Sequence, residues 1–278
     1  MRCYAFSALS YNGFGPARTF QEVLRSFDDE GLEVSAFSPR LRVRPDNAVK
    51  QIQGLSPILR SLPWKHIARH GVARTESRLL DRVLRDSERR CVYTFPDMSP
   101  GTIRLLAQAG VPIIREMTNL HRGTARRILS EAYEAEGLPP YSAIDRDSVE
   151  LETQCLVEMD YVFAPNAEVE KSLVEFGVDQ VRILGTSYGW SKARYAFVDE
   201  PRKRETGTKL TALYVGRIGY EKGCHHLLRA WSRAGYPGKL VLAGSVEPLF
   251  RERMNQELNH DSIELLGFVA DMSKTYAS

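Results

Sequence analysis

Short apolar runs alternate with amphipathic stretches along almost the whole chain. Residues 2–9 predict a first buried strand, and the pattern then moves to a helical period over about 17–30, with Gly31 as the stop. "LEVSAF" (32–37) predicts a second strand, while 38–57, rich in Pro, Arg and Gly, reads as a long loop. Helical spacing returns over 58–90, where Leu59, Leu62, Ile67, Leu79, Leu80 and Val83 form the inward side. "RCVYTF" (90–95) is a strand, and Ser99-Pro100 opens a helix that Gly110 ends, with serine as N-cap and proline at the first helical position. Strands at 111–117, 160–165 and 181–185 complete this half, separated by helices at about 122–136 and 145–159 and by one that Asn166 caps and Gly177 ends.

Residues 191–209 have little periodicity and read as a linker. A second series follows: strands at 210–216, 239–245 and 262–269, with helices at 223–234 and 247–258. Strands that alternate with helices of this length predict βαβ units and parallel sheets. Two such series predict an α/β chain of two Rossmann-like domains, 1–190 and 210–278, facing a cleft in which ligands meet the carboxyl ends of the strands. With three strands, the second domain reads as incomplete.

Composition alters this picture little. Over 278 residues, 43% hydrophobic and 26% charged positions are ordinary for a soluble globular protein, and a net charge of +3 gives no reason to expect a nucleic acid partner. Cys3, Cys91, Cys155 and Cys224 are far apart and form no metal-ligand spacing, so no metal site or cofactor is expected and the thiols read as reduced, as in the cytoplasm. No apolar run approaches the ~20 residues that span a bilayer. The first residues are too few and too polar for a secretory signal.

The chemistry concentrates in "LYVGRIGYEKG" (213–223). A strand stops at Gly216, Arg217 follows, and Lys222 precedes Gly223. A turn from strand to helix offers backbone N–H groups and a positive dipole end, and two added cations suit a diphosphate. The other reading is a plain turn with solvated cations. A P-loop does not fit. In the first βα loop, Gly13 and Gly15 begin a dinucleotide fingerprint that fails, because Arg18 stands at the third glycine position and "EVSAFSP" has no ribose-binding acid there.

"LYVGRIGYEKGCHHLLRAW" resembles the donor-binding motif of the family 4 (group 1) glycosyltransferases, which have the GT-B fold. "KLVLAGS" and "IELLGFVADMSKTYAS" resemble the next two strands of that domain, in order. "NGFGPARTFQEVLRSFDDEGLEVSAF", "GVPIIREMTNLHRG", "ELETQCLVEMDYVFAPNAEVEKSLVEFGV" and "GTSYGWSKARYAF" resemble successive pieces of its first domain and linker entry. The resemblance implies a retaining transferase that moves a sugar from a UDP- or GDP-linked donor to a polysaccharide or glycolipid precursor. It implies that Arg217 and Lys222 hold the diphosphate and stabilise the leaving group, and that His121 sits near the transferred sugar. Gly13 and Gly15 would approach donor phosphate and acceptor, while Gly216, Gly244, Phe268 and Val269 would border the nucleotide. His121 as an ordinary loop histidine, and the glycines as ordinary turns, are the competing readings. The basic stretch 58–90 is either a solvated face or a patch for anionic lipid headgroups at the inner membrane face.

The family's pair of glutamates separated by seven residues has no counterpart in 210–278, and Glu247 and Glu257 read as polar helix positions. The sequence therefore reads as a fragment or a truncated product whose transfer is weak or absent, with an exposed sheet edge in the second domain. A non-catalytic nucleotide- or acceptor-binding subunit is the alternative. An epimerase of the same fold is a third reading, with no acidic and histidine residues to place in its favour.

Overall fold

The computed structural model describes residues 1–45, 48–187, 189, 210–235, 237–270, 272 and 275–276. The expected linker 191–209 lies outside the described residues. The chain forms two compact units: Met1–Arg127 with Ser142–Tyr188, and Ile128–Tyr141 with Gly189–Ser278.

The first unit is built on a seven-stranded sheet in the order β3-β2-β1-β4-β5-β6-β7, with every pairing parallel. Its strands are β1 (Arg2–Ser7), β2 (Glu33–Ser38), β3 (Lys50–Gln53), β4 (Arg90–Phe95), β5 (Ile113–Glu116), β6 (Tyr161–Ala164) and β7 (Ile183–Gly185). The helices are α1 (Gly15–Asp29), α2 (Pro57–Arg60), α3 (Trp64–Arg85), α4 (Pro100–Gln108), α5 (Arg122–Ala135), α6 (Arg146–Val157) and α7 (Ala167–Glu175). Side chains alternate between faces along a strand, so both faces of a covered sheet must be apolar. In β1, Cys3 and Ala5 join a core with Phe20, Leu24, Tyr93 and Phe95, while Tyr4 and Phe6 join another with Leu79, Val83, Ile103 and Ile113.

Helix starts follow the expected chemistry. Ser99 accepts from the Thr102 amide with Pro100 beside it, and Asn166 accepts from the Glu168 and Val169 amides. The stretch 38–57 is not all loop. It contains β3, which among the described residues pairs with β2 alone, and an edge strand carrying Lys and Gln has no apolar alternation to reveal it. The 58–90 stretch divides into α2 and α3, and Leu62, expected on the inward side, is 43% exposed between them.

The second unit carries a parallel sheet in the order β10-β9-β8, from β8 (Thr211–Val215), β9 (Lys239–Ala243) and β10 (Ile263–Gly267). Helix α8 (Cys224–Ala234) follows β8. The helix expected over 247–258 breaks at Met254 into α9 (Pro248–Arg253) and α10 (Asn255–Leu258), which leaves Phe250, Met254 and Leu258 all buried. Among the described residues β8 has one strand neighbour, β9.

Residues 128–141 differ from the expected division at 190, because they belong to the second unit. Tyr133, Leu138 and Tyr141 enter its core beside Ile218, Tyr220, Leu228 and Phe250. Glu136 receives both forks of Arg229 at 2.7 and 2.6 Å, a bidentate pair that fixes the segment's orientation.

Candidate functional site: the turn after β8 and the loops after β1 and β5

In the second unit, alternation decides which motif side chains reach solvent. Ile218 and Tyr220 are buried anchors, while Arg217 and Lys222 lie on the exposed side. The turn is tied to its neighbour by Gly216 N–H to the Ala243 carbonyl (2.9 Å), Ile218 N–H to the Ser245 carbonyl (2.9 Å) and Glu247 N–H to the Ile218 carbonyl (2.9 Å). The two chains run so close that a Cβ on Gly244 would collide with the Gly216 carbonyl. Gly216, Gly244 and the Gly267-Phe268-Val269 turn all follow the carboxyl ends of neighbouring parallel strands, so the structure brings these predicted residues to one edge of the sheet. Phe268 is 69% exposed there and Val269 half-buried.

A short 3-10 turn, Tyr220–Lys222, intervenes between β8 and α8. The amides of Lys222 and Cys224 bond back to the Gly219 carbonyl, and that of Gly223 bonds to Tyr220. These three N–H groups are therefore spent inside the turn, and the exposed charged groups of the motif are its two side-chain cations. The Lys222 ammonium is exposed and makes no ion pair among the described residues. Arg217 is paired through Nη2 with Glu221 Oε2. Tyr141 donates to the other Glu221 oxygen at 3.4 Å.

Glu247 is more than a polar helix position. One carboxylate oxygen accepts from Tyr133 Oη at 3.4 Å, and the other is buried against Gly219 with no hydrogen-bond partner. Burial, with Glu247 beside it, pushes the Tyr133 phenol up to about 12, so it remains a donor at neutral pH.

In the first unit, Gly13 lies in the loop after β1 and Gly15 is the first residue of α1, both with positive φ (87° and 58°). Asn12 Oδ1 accepts from the Phe14 amide at 3.1 Å, which shapes the turn between them. His121 lies in the loop after β5, and its side chain is 0% exposed. Its ring stacks on Phe176 at 3.9 Å. Nδ1 accepts from the Gly123 amide at 3.1 Å, so Nε2 carries the proton and meets Thr153 Oγ1 at 3.2 Å, with Glu152 3.8 Å away. Burial, then the Arg115 and Arg122 cations, lower the ring to about 4, which keeps it neutral. Phe176, Thr153, Glu152 and the Gly123 amide, which meet the ring, all belong to the first unit.

Sequence reasoning missed the ion network around it. Arg115, 2% exposed, bonds Asp97 (3.0 Å) and Glu152 (2.6 Å); Arg122 bonds Asp97 (2.7 Å) and offers its amide to Glu152 (2.6 Å). One signal was present: "REM" places two charges at the end of a strand that otherwise reads as fully buried. The second of them, Glu116, is 5% exposed and accepts from Tyr93 Oη at 2.8 Å.

Two units built on parallel sheets, with turns at the carboxyl edges of the strands, define a Rossmann-like protein, and the chain has the GT-B-type fold of glycosyltransferases. Solved structures with this fold include WaaG, a glycosyltransferase involved in lipopolysaccharide biosynthesis (TM-score 0.63, 12% identity, 99% of this chain and 72% of that one). The lipopolysaccharide outer core galactosyltransferase WaaB, in its apo form, matches with TM-score 0.60 and 14% identity over 97% of this chain and 69% of that one. Anabaena HepE in complex with UDP-glucose matches with TM-score 0.59 and 12% identity over 98% and 71%. No protein-family model matches the sequence, and neither does any curated protein.

Proposed function

We propose that the chain binds a nucleotide-diphosphate sugar and transfers its sugar, with retention, to a saccharide or lipid-linked precursor. The observation that carries this is the placement of Arg217 and Lys222 on the exposed side of the turn after β8, at the carboxyl edge of a parallel sheet, in a chain with the GT-B fold. Each cation about 4 Å from a phosphate oxygen is worth ~4 kcal/mol at the effective dielectric of a protein surface. That attraction grows as the leaving diphosphate gains charge, so it accelerates bond cleavage as well as binding. HepE, with which the fold is shared, has been solved in complex with UDP-glucose, which makes UDP the first probe to use. His121 contributes by ordering the loop after β5, through Gly123 and Thr153. Calorimetric binding of UDP or GDP followed by a donor-turnover assay tests the reading. Binding with turnover supports a transferase, and binding without turnover supports a non-catalytic nucleotide-binding subunit.

The surface of α3 supports a peripheral site at the inner membrane face. Lys65, Arg69, Arg74, Arg78, Arg82 and Arg85 are exposed along it, and Ile58 (82%) and Leu62 (43%) are exposed just before it. Cations near an anionic surface gain ~1 kcal/mol each. Neutralising Arg69, Arg78 and Arg85 together should reduce co-sedimentation with vesicles containing phosphatidylserine by at least tenfold; unchanged sedimentation removes the membrane site. No described helix is long and apolar enough to cross a bilayer.

A further inference from the structure

We propose that Glu221 is a positioning residue for Arg217 and that Tyr141, from the segment 128–141, holds Glu221 in place; this rests on the diphosphate reading of the turn after β8. The backbone of Arg217 is fixed first, since its carbonyl accepts from Tyr214 Oη at 2.9 Å and faces the Cys224 thiol at 4.0 Å. Its side chain is 50% exposed and would otherwise sample many rotamers. Glu221, four residues later in the 3-10 turn, takes a single corner of the guanidinium, Nη2, and leaves the rest of the planar fork for a phosphate.

Glu221 is itself held. Its side chain is only 28% exposed, and the oxygen that does not meet Arg217 accepts from Tyr141 Oη at 3.4 Å. Tyr141 is braced edge-on by Tyr133 at 5.1 Å, and Tyr133 meets the motif's own Tyr220 at 5.9 Å. A relay therefore runs from two tyrosines outside the motif, through one carboxylate inside it, to the cation that would meet the ligand. All of these residues belong to the second unit.

A carboxylate beside an anion site has two opposed effects. Its charge weakens the attraction, and its grip lowers the ordering penalty of the arginine. The half-exposed, long side chain and the anchored carboxylate favour the second effect. The sign of one substitution distinguishes them.

The test is titration calorimetry of the full chain with UDP and with UMP. Glu221→Gln should weaken UDP roughly fivefold and UMP by less than twofold, a split that a merely structural defect would not produce. Tyr141→Phe, which keeps the ring and the fold, should weaken UDP about twofold with an unchanged melting midpoint, and it keeps the test alive if Glu221→Gln does not fold. Equal or tighter UDP binding by Glu221→Gln overturns the positioning role, as does an equal loss for UDP and UMP. Wild-type chain that binds no UDP removes the diphosphate reading and this proposal together. Wild-type binding that Arg217→Ala weakens and Glu221→Gln leaves unchanged overturns the positioning role alone.

Discussion

Glu116 ends β5 with a carboxyl group that burial pushes up from 4.5 to about 7, against the opposing pull of the Tyr93 hydroxyl. The folded state keeps a proton that the unfolded chain has released. Its contribution is fully present below about pH 4.5 and is lost as pH rises through about 7, at a cost on the order of 3 kcal/mol. Glu116→Gln should therefore raise the melting midpoint at pH 8.5 and change it little at pH 4.5; equal shifts at both contradict the assignment. His121 acts in the other direction. Its neutral buried ring, lowered to about 4, supports the fold above about pH 6.5 and loses that support as pH falls toward 4. At this scale the sequence revealed residue types but not their surroundings. Arg217 and Lys222 were legible because motif spacing carries them. The enclosure of His121 was not, because Glu152, Thr153 and Phe176 come from other elements.

Strands and helix starts were legible where burial imposes an apolar period or where a capping residue marks a start. β3 was not, since a polar edge strand has neither signal. The membership of 128–141 in the second unit was not legible either, because its determinants are pairwise: Tyr133 with Glu247, Tyr141 with Glu221, Glu136 with Arg229. The last pair is the testable one. Arg229 is 40% exposed and the Glu136 carboxylate 12%, so Arg229→Ala should cost about 1–2 kcal/mol after allowance for solvent screening. Hydrogen exchange should show the loss of protection in 128–141 first. Protection unchanged there would mean that the contacts of Tyr133 and Tyr141 hold the segment without this pair.

At the scale of the molecule, the GT-B fold is shared with WaaG at 12% identity, so what persists is the order of apolar runs and turns rather than the residues filling them. The resemblance of the motifs pointed to that fold because their order is a property of the topology. Activity is a property of the site, and the turn after β8 offers two cations of unequal freedom: Arg217 ordered by Glu221, and Lys222 without an ion pair among the described residues. The central claim is that these two hold a diphosphate. Titration of the wild-type chain with UDP, beside Arg217→Ala and Lys222→Ala at two salt concentrations, tests it most directly. Wild-type binding that weakens at higher salt, and falls at least tenfold in each variant, is the predicted result. Binding unchanged in both variants, or no UDP and no GDP binding by the wild type, would contradict it.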